Sequence, residues 1–230
     1  MTKRYGHLVA LDEVGFSIRR GEILGLIGPN GAGKTTLFEC MAGVLPPTAG
    51  DVLLDGRPLS DRARRQTLFY LPDAVAPWPA QSVRWALDFA VGFLGGRADR
   101  LAAVTNGLAL TSLLASPVGT LSKGQRKRVL LAIGLLTAQP LLLSDEPFEG
   151  LDLRQSREVA ATLRAHVQGG RTLFLSIHQI GDAARICDRF VLLSGGKVCG
   201  EGTLDELTVV ARSSGTPTAA NLEEVFLALT

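Results

Sequence analysis

The sequence predicts an α/β fold with a mostly parallel sheet, an N-terminal antiparallel β layer and an inserted α-helical subdomain. Short apolar runs typical of buried parallel strands recur beside helical or glycine-rich segments. A long stretch with helical periodicity separates the first of these runs from the others. This alternation indicates one sheet covered by helices. The predicted buried strands are residues 23–27, 141–143, 172–177 and 190–193.

The antiparallel layer is predicted from two shorter runs near the N-terminus. Residues 10–18 and 51–54 have the composition of strands. Turn residues follow both runs, at Arg20-Gly21 and at Asp55-Gly56, as expected for hairpins.

The helical subdomain is predicted from a change in the sequence pattern after residue 72. Pro72, Pro77 and Pro79 interrupt the chain there, and helical periodicity follows. The predicted helices are residues 83–93, 98–110 and 125–136, with a short last helix from Leu222 after an exposed loop at residues 213–218.

The chain is expected to form a single domain of 230 residues. Its core is predicted to comprise residues 1–72 and 137–230, and the helical subdomain residues 73–136. The longest apolar stretch, residues 129–144, is shorter than the roughly 20 residues that span a bilayer, and Pro140 interrupts it. We expect this stretch to form a buried helix followed by a buried strand.

Composition narrows the range of functions. Lys and Arg number 24 against 22 Asp and Glu, for a net charge of +2. The overall charge therefore does not indicate a nucleic-acid or anionic-membrane partner. No apolar signal-peptide core follows the first residues, so we expect the protein to stay in the cytosol. Cys40, Cys187 and Cys199 lack metal-ligand spacing and are expected to be reduced packing residues.

A phosphate-binding loop is predicted between the first buried strand and the following helix. Its pattern, G-x-x-x-x-G-K-[ST], lets backbone N–H groups converge on phosphate oxygens at a helix N-terminus. Lys34 would reach the β- and γ-phosphates, and Thr35 would hold Mg²⁺. The loop indicates a P-loop NTPase core but does not choose among kinases, GTPases and ATPases. It reads Gly28, Pro29, Asn30, Gly31, Ala32, Gly33, Lys34, Thr35, followed by Thr36.

Two carboxylates follow the predicted strand at residues 141–143. Asp145 is expected to bind Mg²⁺, and Glu146 to orient or deprotonate an attacking water. The open edge of a parallel sheet is where ligands of this kind bind. By itself, an Asp-Glu pair is also compatible with a solvated turn.

The segment Leu121-Ser122-Lys123-Gly124-Gln125-Arg126-Lys127-Arg128 resembles the signature motif of the ATP-binding cassette family. It stands in the family's order with the segments 28–36, 140–147, 150–152 and 176–178. Ser122 also fits an ordinary helix cap, whose free N–H groups suit a phosphate. The resemblance implies that Ser122, Gly124 and Gln125 serve the ATP of an opposite subunit in a head-to-tail dimer.

Further roles are implied by the same resemblance. Tyr5 would stack on adenine, His178 would contact the γ-phosphate, and Asp152 would couple the two sites. The implied cofactors are ATP and Mg²⁺. The implied partners are an integral membrane permease subunit and a second copy of this chain or a paralogous ATPase subunit, with no nucleic acid. The protein would act at the inner face of the cell membrane.

Two positions depart from the family's pattern. Asp73 stands where the family usually has Gln; its carboxylate could still ligate Mg²⁺, but its added charge near the γ-phosphate could alter affinity or rate. Lys123 stands where Gly is common, and it would either help to bind the partner's γ-phosphate or point to solvent. With the short ending at residues 221–226, these departures look like bacterial drug-export ATPases, whereas sugar importers often carry a domain after the cassette.

Three other interpretations remain open at this point. A soluble cassette ATPase could act on ribosomes or DNA, a P-loop kinase could transfer phosphate to a small molecule, and a low-turnover cassette could act as a binding switch. A cleft near Asp73, Trp78 and Trp85 could receive a coupling helix of the membrane partner, or the two tryptophans could be packing residues of the lobe.

Overall fold

A six-stranded sheet forms the centre of the fold. In the computed structural model, which describes residues 1–73, 75, 78–213 and 221–230, neighbouring strands follow the order β10-β9-β3-β8-β7-β6. Adjacent strands run parallel from β9 to β6, and β10 pairs antiparallel with β9 at one edge. The strands are β1 (Lys3–Tyr5), β2 (Leu8–Leu11), β3 (Ile23–Ile27), β4 (Leu53–Leu54), β5 (Arg57–Pro58), β6 (Leu68–Leu71), β7 (Leu141–Asp145), β8 (Thr172–Ile177), β9 (Arg189–Ser194) and β10 (Lys197–Gly202).

The four predicted buried strands are confirmed as β3, β7, β8 and β9. Alternate residues of β8 face two different apolar clusters: Leu173 and Leu175 belong to one, and Phe174 to the other. Phe174 packs edge-on against Phe38 at a centroid distance of 4.9 Å. Both faces of the sheet are therefore covered, which is why these strands are continuously hydrophobic.

The N-terminal antiparallel layer is present but shorter than predicted. It consists of two separate hairpins, β1-β2 and β4-β5. The prediction of a strand over residues 10–18 is wrong beyond Leu11, because Glu13 adopts a left-handed conformation (φ 52°) that ends the extended run. The run at 51–54 is extended only at β4, and the predicted turn after it is found at Asp55 and Gly56, with φ of 49° and 78°.

Helices cover the sheet and form the lobe after β6. The predicted helices at 83–93 and 125–136 are confirmed, the latter beginning at Lys123. The prediction over 98–110 is wrong in part: a 3₁₀ turn precedes the helix, and Ala109 (φ 50°) lies outside it. The helices are α1 (Lys34–Ala42), α2 (Asp61–Thr67), α3 (Val83–Phe93), α4 (Leu101–Gly107), α5 (Lys123–Leu136), α6 (Leu153–Gln168), α7 (Ile180–Ile186), α8 (Leu204–Ser213) and α9 (Leu222–Leu229).

The α5 helix joins the lobe to the sheet. It packs against α3 and α4 on one side and against β6 and β7 on the other, and its residues 127–136 are all buried. The apolar stretch 129–144 is thus a buried helix followed by a buried strand, as predicted. In the part of the chain that is described, no helix is both long and apolar enough to cross a membrane.

The remaining predictions concern a proline, a loop, the last helix and the cysteines. Pro77 and residues 214–218 of the predicted loop lie outside the described residues, whereas the last helix begins at Leu222 as expected. Cys40, Cys187 and Cys199 are free thiols.

Candidate functional site

The carboxyl ends of four neighbouring strands lie along one edge of the sheet. The register pairs Ile27 with Ile177 and Asp145 with Ser176, so β3, β7 and β8 end at nearly the same level. Leu71, the last residue of β6, pairs with Ser144 on β7. The segments that follow these strands begin at Gly28, Pro72, Glu146 and His178, and the sheet therefore brings together parts of the chain that are distant in sequence.

The phosphate loop has a backbone conformation that requires glycine at specific points. Gly31 and Gly33 adopt left-handed φ values of 81° and 105°. A β-carbon at Gly33 would lie 2.6 Å from the carbonyl oxygen of Ala10, and one at Gly28 would lie 2.2 Å from that of Leu193. The N-terminus of α1 has no side-chain cap, so its N–H groups are left for the loop and its ligand.

The side chain of Lys34 folds back against the first residues of the phosphate loop. Its ammonium donates hydrogen bonds to the carbonyl oxygens of Gly28 at 2.8 Å and Pro29 at 3.3 Å. It also lies 3.9 Å from Glu146 Oε1, and the lysine side chain is only 8% exposed. This places a cation between the phosphate loop and the acidic pair.

Asp145 is held by hydroxyl groups on both of its carboxylate oxygens. The Thr35 hydroxyl donates to Oδ2 at 2.7 Å, and the Ser176 hydroxyl donates to Oδ1. The described residues hold no group of three or more His, Cys, Asp or Glu side chains that could bind a metal. A hydroxyl and one carboxylate fit Mg²⁺, which commonly takes few protein ligands and completes its shell with water and substrate phosphates.

Glu146 follows Asp145 in a left-handed backbone conformation, with φ of 49°. Its N–H donates to the carbonyl and hydroxyl oxygens of Ser176 at 3.2 and 3.0 Å. The N–H of His178 donates to Glu146 Oε2 at 3.0 Å. Burial raises the pKa of Glu146 above its usual 4.5, and the charge of Lys34 and the N–H of His178 offset part of that rise.

The side chains of His178 and Tyr5 are both exposed. His178 contributes its backbone N–H to Glu146, while its ring remains at the surface. Tyr5 is 45% exposed on β1, and the ammonium of Lys3 lies 5.0 Å from the centre of its ring. The neighbouring strand β2 passes directly against the phosphate loop through the contact between Ala10 and Gly33.

Asp73 is paired with a lysine that sequence reasoning missed. Lys127 on α5 forms an ion pair with Asp73 Oδ1 and donates a second hydrogen bond to the carbonyl oxygen of Asp145 at 3.3 Å. The Lys127 side chain is 6% exposed. The only available signal was a lysine between Arg126 and Arg128 in a predicted helix, and that pattern does not identify the partner.

The signature segment contacts the loop before α6. Ser122 caps α5 in a reciprocal arrangement with Gln125, and Asp152 caps α6 in the same way. Lys123 is exposed, and its ammonium lies 2.6 Å from Glu149 Oε1. A β-carbon at Gly124 would lie 2.7 Å from the carbonyl oxygen of Gly150. These contacts hold the signature segment against residues 149–155 of its own chain.

An aromatic cluster lies on the exposed face of α3. It comprises Trp78, Trp85, Phe89 and Phe93, whose neighbouring rings lie 4.8 to 5.4 Å apart. The two tryptophans pack edge-on against each other, yet each remains 40% exposed. They therefore pack within the lobe and also present apolar surface to solvent.

Comparison with known proteins agrees with this geometry. Residues 11–149 match the family model described as "ABC transporter". The chain is 34% identical over 235 residues to "Probable multidrug ABC transporter ATP-binding protein YbhF" of Escherichia coli strain K12, covering 100% of this chain and 40% of that protein. It is 38% identical over 202 residues to "Hemin import ATP-binding protein HmuV" of Nocardia farcinica strain IFM 10152, covering 84% of this chain and 70% of that protein.

A solved structure titled "Structure of ATP binding subunit of ABC transporter" superposes with a TM-score of 0.87 at 30% identity. The match covers 99% of this chain and 96% of that one. The present chain thus spans less than half of the length of the E. coli relative but nearly all of this structural neighbour. The family match, the relatives and the arrangement of residues at the sheet edge agree. The chain belongs to the ABC transporter ATP-binding protein family.

Proposed function

We propose that this chain binds and hydrolyses ATP and thereby powers transport through a separate membrane subunit. The observation that carries the proposal is the convergence of a buried lysine, a hydroxyl-bound aspartate and a half-buried glutamate at one sheet edge. Lys34 lies 3.9 Å from Glu146, and Thr35 lies 2.7 Å from Asp145. Phosphoryl chemistry needs this combination of a phosphate-binding cation, a magnesium site and a group that handles the attacking water.

ATP and Mg²⁺ are the proposed cofactors of this site. The backbone N–H groups of residues 28–36, except Pro29, which has none, and the ammonium of Lys34 would bind the phosphates. Tyr5 would stack on the base. Thr35, Asp145 and Asp73 are the proposed oxygen donors for the metal. When bound, Mg²⁺ supplies the positive charge that offsets charge developing on the phosphates.

Glu146 is the proposed catalytic base. Its carboxylate accepts the N–H of His178 on Oε2, which orients the side chain. Burial raises its pKa, which makes it a better proton acceptor than a solvated glutamate. The ring of His178 would contact the γ-phosphate, and Lys34 would stabilise the charge on the transferred group.

Two copies of the site are proposed to form head to tail. Ser122, Gly124 and Gln125 of one subunit would complete the nucleotide site of the other, with Asp152 coupling the two. The contacts of the signature segment with residues 149–155 support this, because they join Lys123 and Gly124 to the segment that contains Asp152. The second subunit is proposed to be another copy of this chain or a paralogous ATPase.

The proposed partner is an integral membrane permease, which would dock on the lobe near Asp73 and the aromatic cluster of α3. Residues 73–136 would form this lobe, and residues 1–72 and 137–230 the nucleotide-binding core. The chain would act in the cytoplasm at the inner face of the cell membrane, with no nucleic acid partner.

Export is the proposed direction of transport. A relative from Bacillus subtilis strain 168 is named for peptide export, which supports the proposal, whereas the Nocardia relative is named for import and the name of the E. coli relative gives no direction. Transport assays in vesicles containing the permease partner would show substrate leaving the side that receives ATP. Accumulation on that side would contradict export and leave the ATPase proposal intact.

The deciding experiment compares wild type with Glu146→Gln in the presence of Mg-ATP. We expect wild type to hydrolyse ATP, and the variant to bind ATP, to lose at least about 100-fold in turnover and to accumulate as a dimer. Size-exclusion chromatography and phosphate release measure the two properties. Unchanged turnover in the variant would contradict the assignment of Glu146, and binding without turnover in wild type would favour an ATP-binding switch.

A further inference from the structure

Lys127 lies at the junction of three functional segments. It sits on α5, five residues after Ser122, and its ammonium reaches the carboxylate of Asp73 and the carbonyl oxygen of Asp145. The lysine side chain is 6% exposed and that of Asp73 is 41% exposed. One cation therefore links the signature helix, the segment after β6 and the end of β7.

The charge balance of the sheet edge depends on this lysine. Asp73, Asp145 and Glu146 bring three carboxylates to a site proposed to bind a triphosphate, whereas Lys34 accounts for one cation. Without a partner, the charge of Asp73 would repel the γ-phosphate and Asp145 across a partly dehydrated space. With Lys127 bound to it, the pair is neutral as a whole.

We propose that Lys127 is a positioning residue, which fixes the Asp73 carboxylate by an ion pair, cancels its charge beside the γ-phosphate site and ties the signature helix to Asp145. The proposal rests on the proposed nucleotide site for its effect on ATP. The ion pair itself is independent of nucleotide, because it is formed entirely by side chains of this chain.

The stability test is a double-mutant cycle without nucleotide. Asp73→Asn leaves the buried ammonium of Lys127 without its counter-charge, and Lys127→Gln leaves Asp73 unpaired. We expect each single change to lower Tm by roughly 3 to 8 °C and the double variant to lose clearly less than the sum. Arg84→Gln is the matched control: it breaks the exposed ion pair with Asp88 on α3 and should shift Tm by about 1 °C or less.

The second test measures the affinities for Mg-ATP and Mg-ADP in the same four proteins. Lys127→Gln should weaken ATP binding by about 10-fold and ADP binding much less, because the unpaired charge of Asp73 faces the γ-phosphate. Asp73→Asn removes the carboxylate charge but keeps a neutral oxygen donor for Mg²⁺, so it should weaken ATP binding less than Lys127→Gln does. The double variant should bind ATP more tightly than Lys127→Gln alone, a reversal that general damage to the fold would not produce.

The outcomes separate the ion pair from the nucleotide site. Additive losses of Tm, or no loss in Asp73→Asn, would overturn the pair. Non-additive losses of Tm together with equal weakening of ATP and ADP binding would overturn the positioning role. If wild type bound neither nucleotide, the proposed function would fail, yet the Tm cycle would still decide whether the pair exists. If Lys127→Gln failed to fold, recovery of the fold in the double variant would support the ion pair. Failure of both variants to fold would overturn it.

Discussion

The ammonium of Lys34 lies 3.9 Å from Glu146 Oε1, and the glutamate is nonetheless harder to ionise than a glutamate in water. Burial outweighs the attraction of the lysine, so the pKa of Glu146 is raised. The two residues are brought together by the adjacent ends of β3, β8 and β7. This opposition between burial and charge gives the site a pH dependence that can be measured.

Acid should inhibit hydrolysis at a higher pH than an ordinary glutamate would produce. The base must be ionised, and the raised pKa of Glu146 in the nucleotide-free protein moves the acid limb of kcat/KM above 4.5. A pH–rate profile measures this limb. Inhibition that begins only below pH 4.5 would contradict the role of Glu146 as the base.

The same shift predicts a pH-dependent difference in stability between wild type and Glu146→Gln. A raised folded pKa means that the stabilising contribution of the protonated form is present below the unfolded value and is lost as pH rises through the folded pKa. Without nucleotide, the Tm of wild type relative to the variant should therefore fall as pH rises above 4.5. A constant difference would show that burial does not control this group.

Ser176 should contribute more to the free energy of unfolding than its small side chain suggests. Its hydroxyl donates to Asp145 Oδ1 and accepts the N–H of Glu146 at 3.0 Å. Ser176→Ala leaves a buried carboxylate oxygen and an N–H without this partner, and should cost about 2 kcal/mol of the free energy of unfolding in urea. Thr120→Ala, which removes an exposed hydroxyl bonded to Pro117, is the control and should cost about 0.5 kcal/mol or less. Equal costs would contradict this account.

Gly124 should not tolerate a β-carbon, although it lies within a helix. The added atom would lie 2.7 Å from the carbonyl oxygen of Gly150, so Gly124→Ala should cost about 1–3 kcal/mol by pushing α5 from its neighbour. Gly92→Ala in α3 is the control, because a β-carbon there meets nothing within 4 Å. It should stabilise the protein by about 0.5–1 kcal/mol through helix propensity. Thermal denaturation of both variants measures the contrast, and shifts of the same sign would contradict it.

Arg171 should stabilise the end of the signature helix. Its guanidinium donates to the carbonyl oxygen of Leu135 at 2.7 Å and to the hydroxyl of Thr137 at 2.7 Å. Burial, with the nearby charge of Arg100, lowers its pKa to about 10, so it remains charged at neutral pH. Arg171→Met should cost about 2–3 kcal/mol in urea denaturation, because it leaves the Leu135 carbonyl buried without this donor. Arg97→Met, at an exposed ion pair with Asp99, should cost much less, and the opposite ranking would contradict the argument.

The strands that carry the site could be predicted from sequence because they are buried on both faces. Continuous hydrophobic runs at 23–27 and 172–177 gave the bounds of β3 and β8 as the structure has them. The short run at β6 was not predicted as a strand, since four apolar residues before Pro72 do not distinguish a strand from a loop. The helix over 98–110 was predicted too long because periodicity does not report the left-handed turn at Ala109.

The phosphate loop, the acidic pair and the signature segment could be identified by pattern, yet their contacts could not. Sequence suggested metal ligation for Asp73. The ion pair with Lys127 joins residues 54 positions apart, and it forms because the rotation of α5 turns Lys127 toward Asp73. The same applies to Lys123: sequence left open a partner phosphate or solvent, and the ammonium is exposed and paired with Glu149. Side-chain pairing across elements depends on helix rotation and packing, which residue spacing alone does not determine.

The order β3-β8-β7-β6 also has a consequence for biosynthesis. Thr35 and Asp145, which share a hydrogen bond, are 110 positions apart, and β8, which separates their strands, is made later still. During translation the phosphate loop leaves the ribosome long before the strand that must lie beside β3 exists. Because parallel pairing of distant segments is slow and exposes apolar edges, the half-made chain passes through an interval in which chaperones would have an apolar sheet edge to protect.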